Sequence, residues 1–337
     1  MQPLANKNFT VYFRPQTDCT LSIYNIYTDD IDSVRAASFI ICLINTLSSI
    51  VAVIGNLLII LSVVRTSALH SPSNVLLCCL AITDFLTGLV TQPLFVCSVV
   101  ARIAKSYDLY CTASLLSFLP VYILSGVSFL TLTAISIDRF IALRIHLRYR
   151  AIVTIRRVLS IEAGVWLFSI SVTLLPFAGF FSSFQLFIAL IISTSLTLNV
   201  SAYFYILHTL RKHKAKIANH DQISTTYEKA VNVRKVKSSS WTMLAVFCLF
   251  FACYIPTLCV MITGSAVSTT KPLSPRLRTI RDASATLVLV NSSLNPFVYC
   301  YRMTEIRKAV CATVSVWNCF GKRVQRVLST LAVRTEN

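Results

Sequence analysis

The sequence predicts an all-α membrane protein: a bundle of seven membrane-spanning helices with an amphipathic C-terminal helix lying beside it. Three observations predict it. Hydrophobic residues make up 55% of the 337-residue chain and charged residues only 13%, against about 25% charged residues in a soluble domain. The apolar residues gather in runs long enough to cross a hydrocarbon core, which takes about 20 residues. The charges collect between those runs, so a net charge of +18 fits basic loops at a membrane surface and not a nucleic-acid-binding face.

Residues 1–36 are polar and have no apolar h-region, so no cleavable signal peptide is expected and the first span acts as the targeting signal. Asn8-Phe9-Thr10 is a glycosylation sequon, meaningful on an extracellular tail; matches at Asn199 and Asn291 fall inside apolar runs and are read as chance. The spans are placed at 37–64, 74–101, 111–143, 156–178, 183–210, 238–266 and 279–301. The chain therefore divides into an extracellular tail (1–36), the bundle (37–301), and a final helix with a cytoplasmic tail (302–337).

Two of these runs need an argument. From Leu109 to Ile137 there is no Asp, Glu, Lys or Arg over 29 residues, a helix of roughly 43 Å that crosses a core of about 30 Å with tilt. Between Glu162 and Arg211 lie 48 uncharged residues, roughly 72 Å as one helix and more than twice a bilayer. Pro176 and Gly179 are the strong breakers there, so the chain turns at that point and the loop is a few residues long. With 65–73, 139–157, 211–237 and 302–337 on one side, 22 of the 31 Lys and Arg residues fall together. The positive-inside rule makes that side cytoplasmic and puts the N-terminus outside. Most of the twelve cysteines lie in apolar runs (Cys42, Cys78, Cys79, Cys248, Cys253) and read as buried thiols, with no zinc-type spacing.

The chemistry begins where the third run stops, at Asp138-Arg139-Phe140, followed by Arg144, Arg148 and Arg150. An acid and an arginine there are costly facing lipid and useful facing a bundle interior. By itself the pair is equally a plain juxtamembrane ion pair. Its continuation, Phe140-Ile141-Ala142-Leu143 through His146-Leu147-Arg148-Tyr149, resembles the end of the third helix of rhodopsin-like (class A) G-protein-coupled receptors. The resemblance extends over about residues 37–320. It includes Gly55-Asn56 in the first span, Leu80-Ala81-Ile82-Thr83-Asp84 in the second, and Trp166 with Pro176 in the fourth. It continues through Tyr203 in the fifth, Phe250-Phe251-Ala252-Cys253-Tyr254-Ile255-Pro256 in the sixth, and Asn295-Pro296-Phe297-Val298-Tyr299 in the seventh.

That resemblance implies roles. Asp84, Ser128, Asn291, Ser292 and Asn295 correspond to an allosteric sodium site, and a hard cation suits such oxygens; a neutral, hydrogen-bonded Asp84 is the alternative. Asp138 restrains Arg139 at rest, and Arg139, Tyr203, Pro256, Asn295, Pro296 and Tyr299 take part in activation through an outward swing of the sixth helix. Partners are then a heterotrimeric G protein, arrestin, an extracellular ligand and membrane lipids. The acid that restrains the arginine from the sixth helix of many relatives is replaced by Val236 between Lys235 and Lys237, so ligand-independent signalling is expected. Ser195 stands where the fifth helix usually has proline, so that helix should be straighter. Glu162 fits no motif and is expected to snorkel or to pair with Arg156 or Arg157.

The implied ligand lining is Phe118, Val121, Tyr122, Tyr254, Thr257, Leu258, Met261, Ala285 and Leu289. It lacks the aspartate of amine receptors (Val121), the lysine of opsins (Leu289) and the asparagine of adenosine receptors (Met261). An apolar or lipid-like small molecule fits it; the basic group Arg276, Arg278 and Arg281 equally suits an acidic peptide. The usual helix-three cysteine is Ser114 here, and Cys111 with Cys19 is the expected disulfide. Met303, Ile306, Val310, Val314 and Trp317 recur at helical spacing opposite Arg302, Glu305, Arg307 and Lys308, an amphipathic helix on the inner leaflet. Cys311 and Cys319 are candidate palmitoylation sites on it. A transporter or a non-signalling decoy receptor is the alternative function. Inverted repeats fit seven spans poorly, and HExxH and GxSxG are absent, which disfavours an enzyme.

Overall fold

A computed structural model describes residues 16–17, 19, 26–27, 34–145, 148–218, 248–249, 251–260 and 275–315. The spanning helices are Arg35–Arg65, Pro72–Ile103, Tyr107–Arg144, Ile155–Ala178 and Phe181–Ala218, the last apolar over Leu186–Ile206. The seventh is Pro275–Arg302. Of the sixth, Phe251–Val260 is a described apolar helix. A short helix, Tyr149–Ile152, lies between the third and fourth, and residues 304–315 form the final helix. In the N-terminal segment Gln16–Thr17 pairs antiparallel with Ile26–Tyr27. The first, second, third, fourth and seventh helices start and stop within a few residues of the expected positions, the fifth runs on to Ala218, and the ends of the sixth lie outside the described residues.

Helix is the solution here because lipid offers no partner for an unpaired backbone group. Local signals set the ends. Ser71 caps the second helix, its hydroxyl accepting from the Asn74 N–H at 3.4 Å, with Pro72 behind it at a position that needs no donor. Thr154 caps the fourth in the same way through the Arg157 N–H. Pro176 and Gly179 do break the long apolar run: Gly179 takes φ 85°, a left-handed conformation suited to glycine, and Phe180 N–H bonds Leu175 O at 2.9 Å. The second helix holds a π turn at Thr87–Thr91, followed by Pro93 at the start of Gln92–Ile103. The fifth helix passes Ser195 unbroken.

The spans pack through small residues and polar links. A Cβ on Gly55 would meet Pro296 Cγ at 2.9 Å, so the first and seventh helices touch there without room for a side chain. Asn45 donates to Thr286 Oγ1, and Asn56 to the Ser292 carbonyl, both at 2.9 Å. Gln92 donates to Ser48 Oγ at 2.7 Å and Asn199 to Thr133 Oγ1 at 3.0 Å. Between these ties a buried apolar core gathers Leu77, Leu80, Leu132, Ile135, Ile206 and Tyr299. The final helix docks on it: Ile306 and Ala309 are buried, and Thr313 lies 3.2 Å from Ser62 Oγ. Its bundle-facing residues are Ile306, Ala309 and Thr313, with Met303 and Val310 of the expected apolar stripe packed beside them and Val314 exposed.

Glu162 corrects the expectation that it snorkels. It is 3% exposed and its Oε2 accepts from Thr131 Oγ1 at 2.9 Å, while Arg157 caps the Ala151 and Ile152 carbonyls instead. A carboxyl on the third-helix side of the fourth helix finds a hydroxyl closer than the loop arginines.

Candidate functional site

Three places along the bundle axis carry the polar side chains. At the end where the third helix stops, Asp138 is 5% exposed and accepts three contacts. Ser73 Oγ donates to its Oδ2 and Tyr149 Oη to its Oδ1, each at 2.6 Å. Arg139 Nε stands 3.7 Å from Oδ2 and has no hydrogen-bond partner among the described residues. Two short neutral donors thus hold the carboxylate more closely than its own neighbour does. Burial, with Asp138 beside it, pushes the Tyr149 phenol up to about 12, so it stays a donor at neutral pH. Tyr203 is buried one turn away and accepts from Ser136 Oγ at 3.3 Å. Phe140 packs edge-on against Tyr205, ring centroids 4.8 Å apart.

In the middle of the bundle Asp84, 1% exposed, accepts from Asn295 Nδ2 at 2.6 Å. Asn291 and Ser292 are buried on the same helix as Asn295. The Oδ1 atoms of Asn291 and Asn295 are buried with no hydrogen-bond partner among the described residues, as is Tyr299 Oη. The Ser128 hydroxyl donates to Thr83 Oγ1, beside Asp84, at 2.8 Å. A carboxylate with two orphaned amide oxygens on the facing helix is a donor set that suits a hard monovalent cation. Pro256 lies within the described stretch of the sixth helix and Pro296 inside the seventh. Tyr254 meets Phe129 at 5.7 Å.

Toward the other end, the expected lining divides. Phe118 is buried in an aromatic group with Tyr122, Phe177 and Phe184 at centroid distances of 4.7, 5.7 and 5.9 Å. Thr257 donates to the Ser284 carbonyl at 3.1 Å, which ties the sixth helix to the seventh beside Ala285. Leu289 is buried, and Val121 and Leu258 are half-buried. Met261 lies outside the described residues.

At that end Cys19 is joined to Cys111, their Cα atoms 5.2 Å apart, which ties the N-terminal segment to the third helix. Beside it, Arg102 of the second helix pairs with Asp282 of the seventh at 2.7 Å, and Arg281 reaches the same carboxylate at 3.5 Å. Arg278 donates to Tyr110 Oη at 2.8 Å and is buried, whereas Arg276 is exposed. The basic group is thus part of the bundle wall as well as of its rim.

The family model described as 7 transmembrane receptor (rhodopsin family) matches residues 55–186 and 177–299, most of the bundle. The chain belongs to that family. Among curated proteins, adenosine receptor A2b of Mus musculus is 24% identical over 294 residues, covering 76% of this chain and 84% of the mouse protein. Asp84, Asp138-Arg139, Tyr203, Pro256 and Asn295 to Tyr299 all lie within the matched residues of the receptor.

Several residues of the receptor's polar sites were missed in the sequence. Ser73, Tyr149, Thr83, Thr131, Arg102, Tyr110 and Asp282 all bond to residues of interest. Tyr149 and Ser73 carry a faint signal, a hydroxyl at each boundary facing Asp138; the others carry none without a partner helix. Cys311 is exposed on the final helix. Asn8, Cys319, Trp317, Phe250, Val236, Lys235 and Lys237 lie outside the described residues.

Proposed function

We propose that the receptor sits in the plasma membrane with its N-terminus outside, binds an extracellular ligand and activates a heterotrimeric G protein through the outward swing of its sixth helix, with arrestin as a second partner. The single observation that carries this reading is the Arg139 environment. Asp138 is held by Ser73 and Tyr149 at 2.6 Å each, leaving Arg139 at 3.7 Å, with Tyr203 buried one turn off. An arginine so loosely restrained needs little to release it. Placing this end in the cytoplasm agrees with 22 of 31 basic residues on that side.

Sodium at Asp84, Ser128, Asn291, Ser292 and Asn295 is proposed as an allosteric ion; the Ser128 hydroxyl gives its hydrogen to Thr83 Oγ1 and keeps its oxygen lone pairs for a cation. The proposal draws on the orphaned Asn291 and Asn295 oxygens. Glycosylation at Asn8 and palmitoylation at Cys311 and Cys319 complete the membrane topology. The ligand is proposed to be an apolar or lipid-like small molecule or a peptide. The mouse relative is named for adenosine, but at 24% identity and with Met261 at the position of the expected asparagine, adenosine is not the ligand proposed here.

The test is basal cAMP, inositol phosphate and arrestin recruitment in cells expressing the wild type or Arg139→Ala, normalised to surface level. Basal signal lost in the variant supports coupling and names the G protein. Equal signal in every channel, at good surface expression, overturns it in favour of a decoy or transporter role.

A further inference from the structure

We infer that the outer face of the fifth helix, over residues 200–208, is a binding site for one anionic phospholipid of the cytoplasmic leaflet. This rests on the reading above that the Arg139 end of the bundle is cytoplasmic. A surface cavity of about 500 Å³ opens there, lined by Val200, Ser201, Phe204, Tyr205 and His208, a volume in the range of small-molecule sites. Their spacing puts them on one side of the helix. Asn199, Ala202, Tyr203 and Ile206, on the other side, are buried, whereas Phe204 is 75% exposed. The cavity therefore faces the membrane and not the bundle interior.

Its polar groups set it apart from the rest of the lipid-facing surface. Nearer the outer end of the same helix Ser193, Thr194 and Thr197 are also exposed, and their hydroxyls donate to the carbonyls of Ala189, Leu190 and Ser193 at 2.7, 2.7 and 2.9 Å. Bonding back to the helix spares a hydroxyl the cost of standing unpaired in hydrocarbon. Ser201, on the same side, makes no such bond. The Tyr205 hydroxyl and the His208 ring likewise have no hydrogen-bond partner among the described residues, although the Tyr205 ring is held against Phe140. Three hydrogen-bonding groups without protein partners thus line one cavity beside apolar Val200 and Phe204.

The order of these groups along the helix matches a phospholipid. The apolar span ends at Ile206. Tyr205 and His208 flank that end, at the depth of ester carbonyls and phosphate. Ser201 stands about one turn deeper, where the ester carbonyls are the deepest acceptors that a phospholipid offers. Charge selects the headgroup. The helix continues through Arg211-Lys212-His213-Lys214. Arg144, exposed, lies 5.8 Å over the same Phe140 ring and has no acid partner among the described residues. Basic groups at the cytoplasmic surface attract anionic lipids. A sterol, with a single hydroxyl, leaves two of the three polar groups unpaired and is the weaker fit.

The experiment titrates the full-length receptor in neutral detergent with phosphatidylserine, phosphatidylcholine or cholesterol and counts bound molecules by native mass spectrometry. The expected result is one saturable phosphatidylserine, bound about tenfold more tightly than phosphatidylcholine. Ser201→Ala with His208→Leu alters exposed side chains that bond nothing among the described residues, so the fold is kept. It should weaken that phosphatidylserine about tenfold, because two hydrogen bonds to the lipid are lost. Ser193→Ala with Thr197→Val, on the same side of the helix but outside the cavity lining, should leave it unchanged. Arg144→Gln should reduce the preference for phosphatidylserine and leave phosphatidylcholine binding as it was. No preference for phosphatidylserine, equal affinity in wild type and Ser201→Ala with His208→Leu, or equal weakening in the two double variants overturns the site. An unchanged preference in Arg144→Gln overturns the charge assignment. Cholesterol that binds more tightly than phosphatidylserine, and is lost with Ser201→Ala and His208→Leu, overturns the phospholipid in favour of a sterol. Binding is read without agonist or G protein, so failure here leaves the signalling test of Arg139 untouched, and the reverse.

Discussion

Tyr149→Phe is expected to lower ligand-independent signalling. The Tyr149 hydroxyl gives Asp138 one of its two 2.6 Å bonds, and Ser73 gives the other. Hydrogen bonds to a charged group contribute about 1.5–3 kcal/mol each. Without one of them the carboxylate is free to draw Arg139 in from 3.7 Å, and the resting arrangement gains stability. If about 1.4 kcal/mol of the lost bond reappears in the Arg139 pair, the ratio of released to restrained arginine falls about tenfold. Ser73→Ala should act in the same direction, and the double variant should do less than the sum of the two, because both act on one carboxylate. Asp138→Asn should move basal output the other way, since it removes the charge that restrains Arg139. The assay is basal second-messenger level per receptor at the surface, with Arg139→Ala as the floor. Basal output in Tyr149→Phe at or above wild type, at equal expression, would refute the idea that these hydroxyls compete with Arg139.

Three further outcomes are expected. Gly55→Ala should cost about 1–3 kcal/mol of stability, because the new methyl meets Pro296 Cγ at 2.9 Å, whereas Gly164→Ala, with nothing within 4 Å, should leave the unfolding temperature unchanged or slightly raised. Glu162→Gln keeps an oxygen for Thr131 Oγ1 and should fold and reach the surface like wild type. Glu162→Lys puts an unpaired cation at a buried position and should abolish surface expression. Arg102→Met should destabilise by about 3–5 kcal/mol by leaving Asp282 a buried carboxylate short of its closest partner, and Arg102→Met with Asp282→Leu should recover much of that loss in thermal unfolding.

The fold was legible in the sequence because its signals are one-dimensional. Apolar run length set the spans, and Pro176 and Gly179 set the one break that run length left open. The Asp84–Asn295 contact follows from two motifs in register. What stayed hidden depends on which way a side chain faces when both faces of a helix are apolar. Glu162 illustrates this: beside Ile161 and Leu159, both lipid-facing, no amphipathic period says that it turns inward to Thr131. Arg278 is the same case at the rim. Its burial depends on Tyr110 of another helix, and nothing near it in the chain predicts that. Ser128 shows the finer limit: its position was legible, its preference for Thr83 over Asp84 was not, since a hydroxyl rotor chooses among neighbours within a few tenths of an ångström.

The π turn at Thr87–Thr91 has a consequence for how this chain tolerates insertion and deletion. It accommodates one residue more than an uninterrupted α-helix would use to cover the same rise. Removing one residue from that stretch would let it revert to a plain α-helix of nearly the same rise and rotation. Gln92 would keep Ser48 and Arg102 would keep Asp282, and Asp84, on the near side, would keep its place. A deletion elsewhere in the helix would turn everything beyond it by about 100°, so the π turn is the one place on this helix where a relative can lose a residue and keep the wiring on both sides.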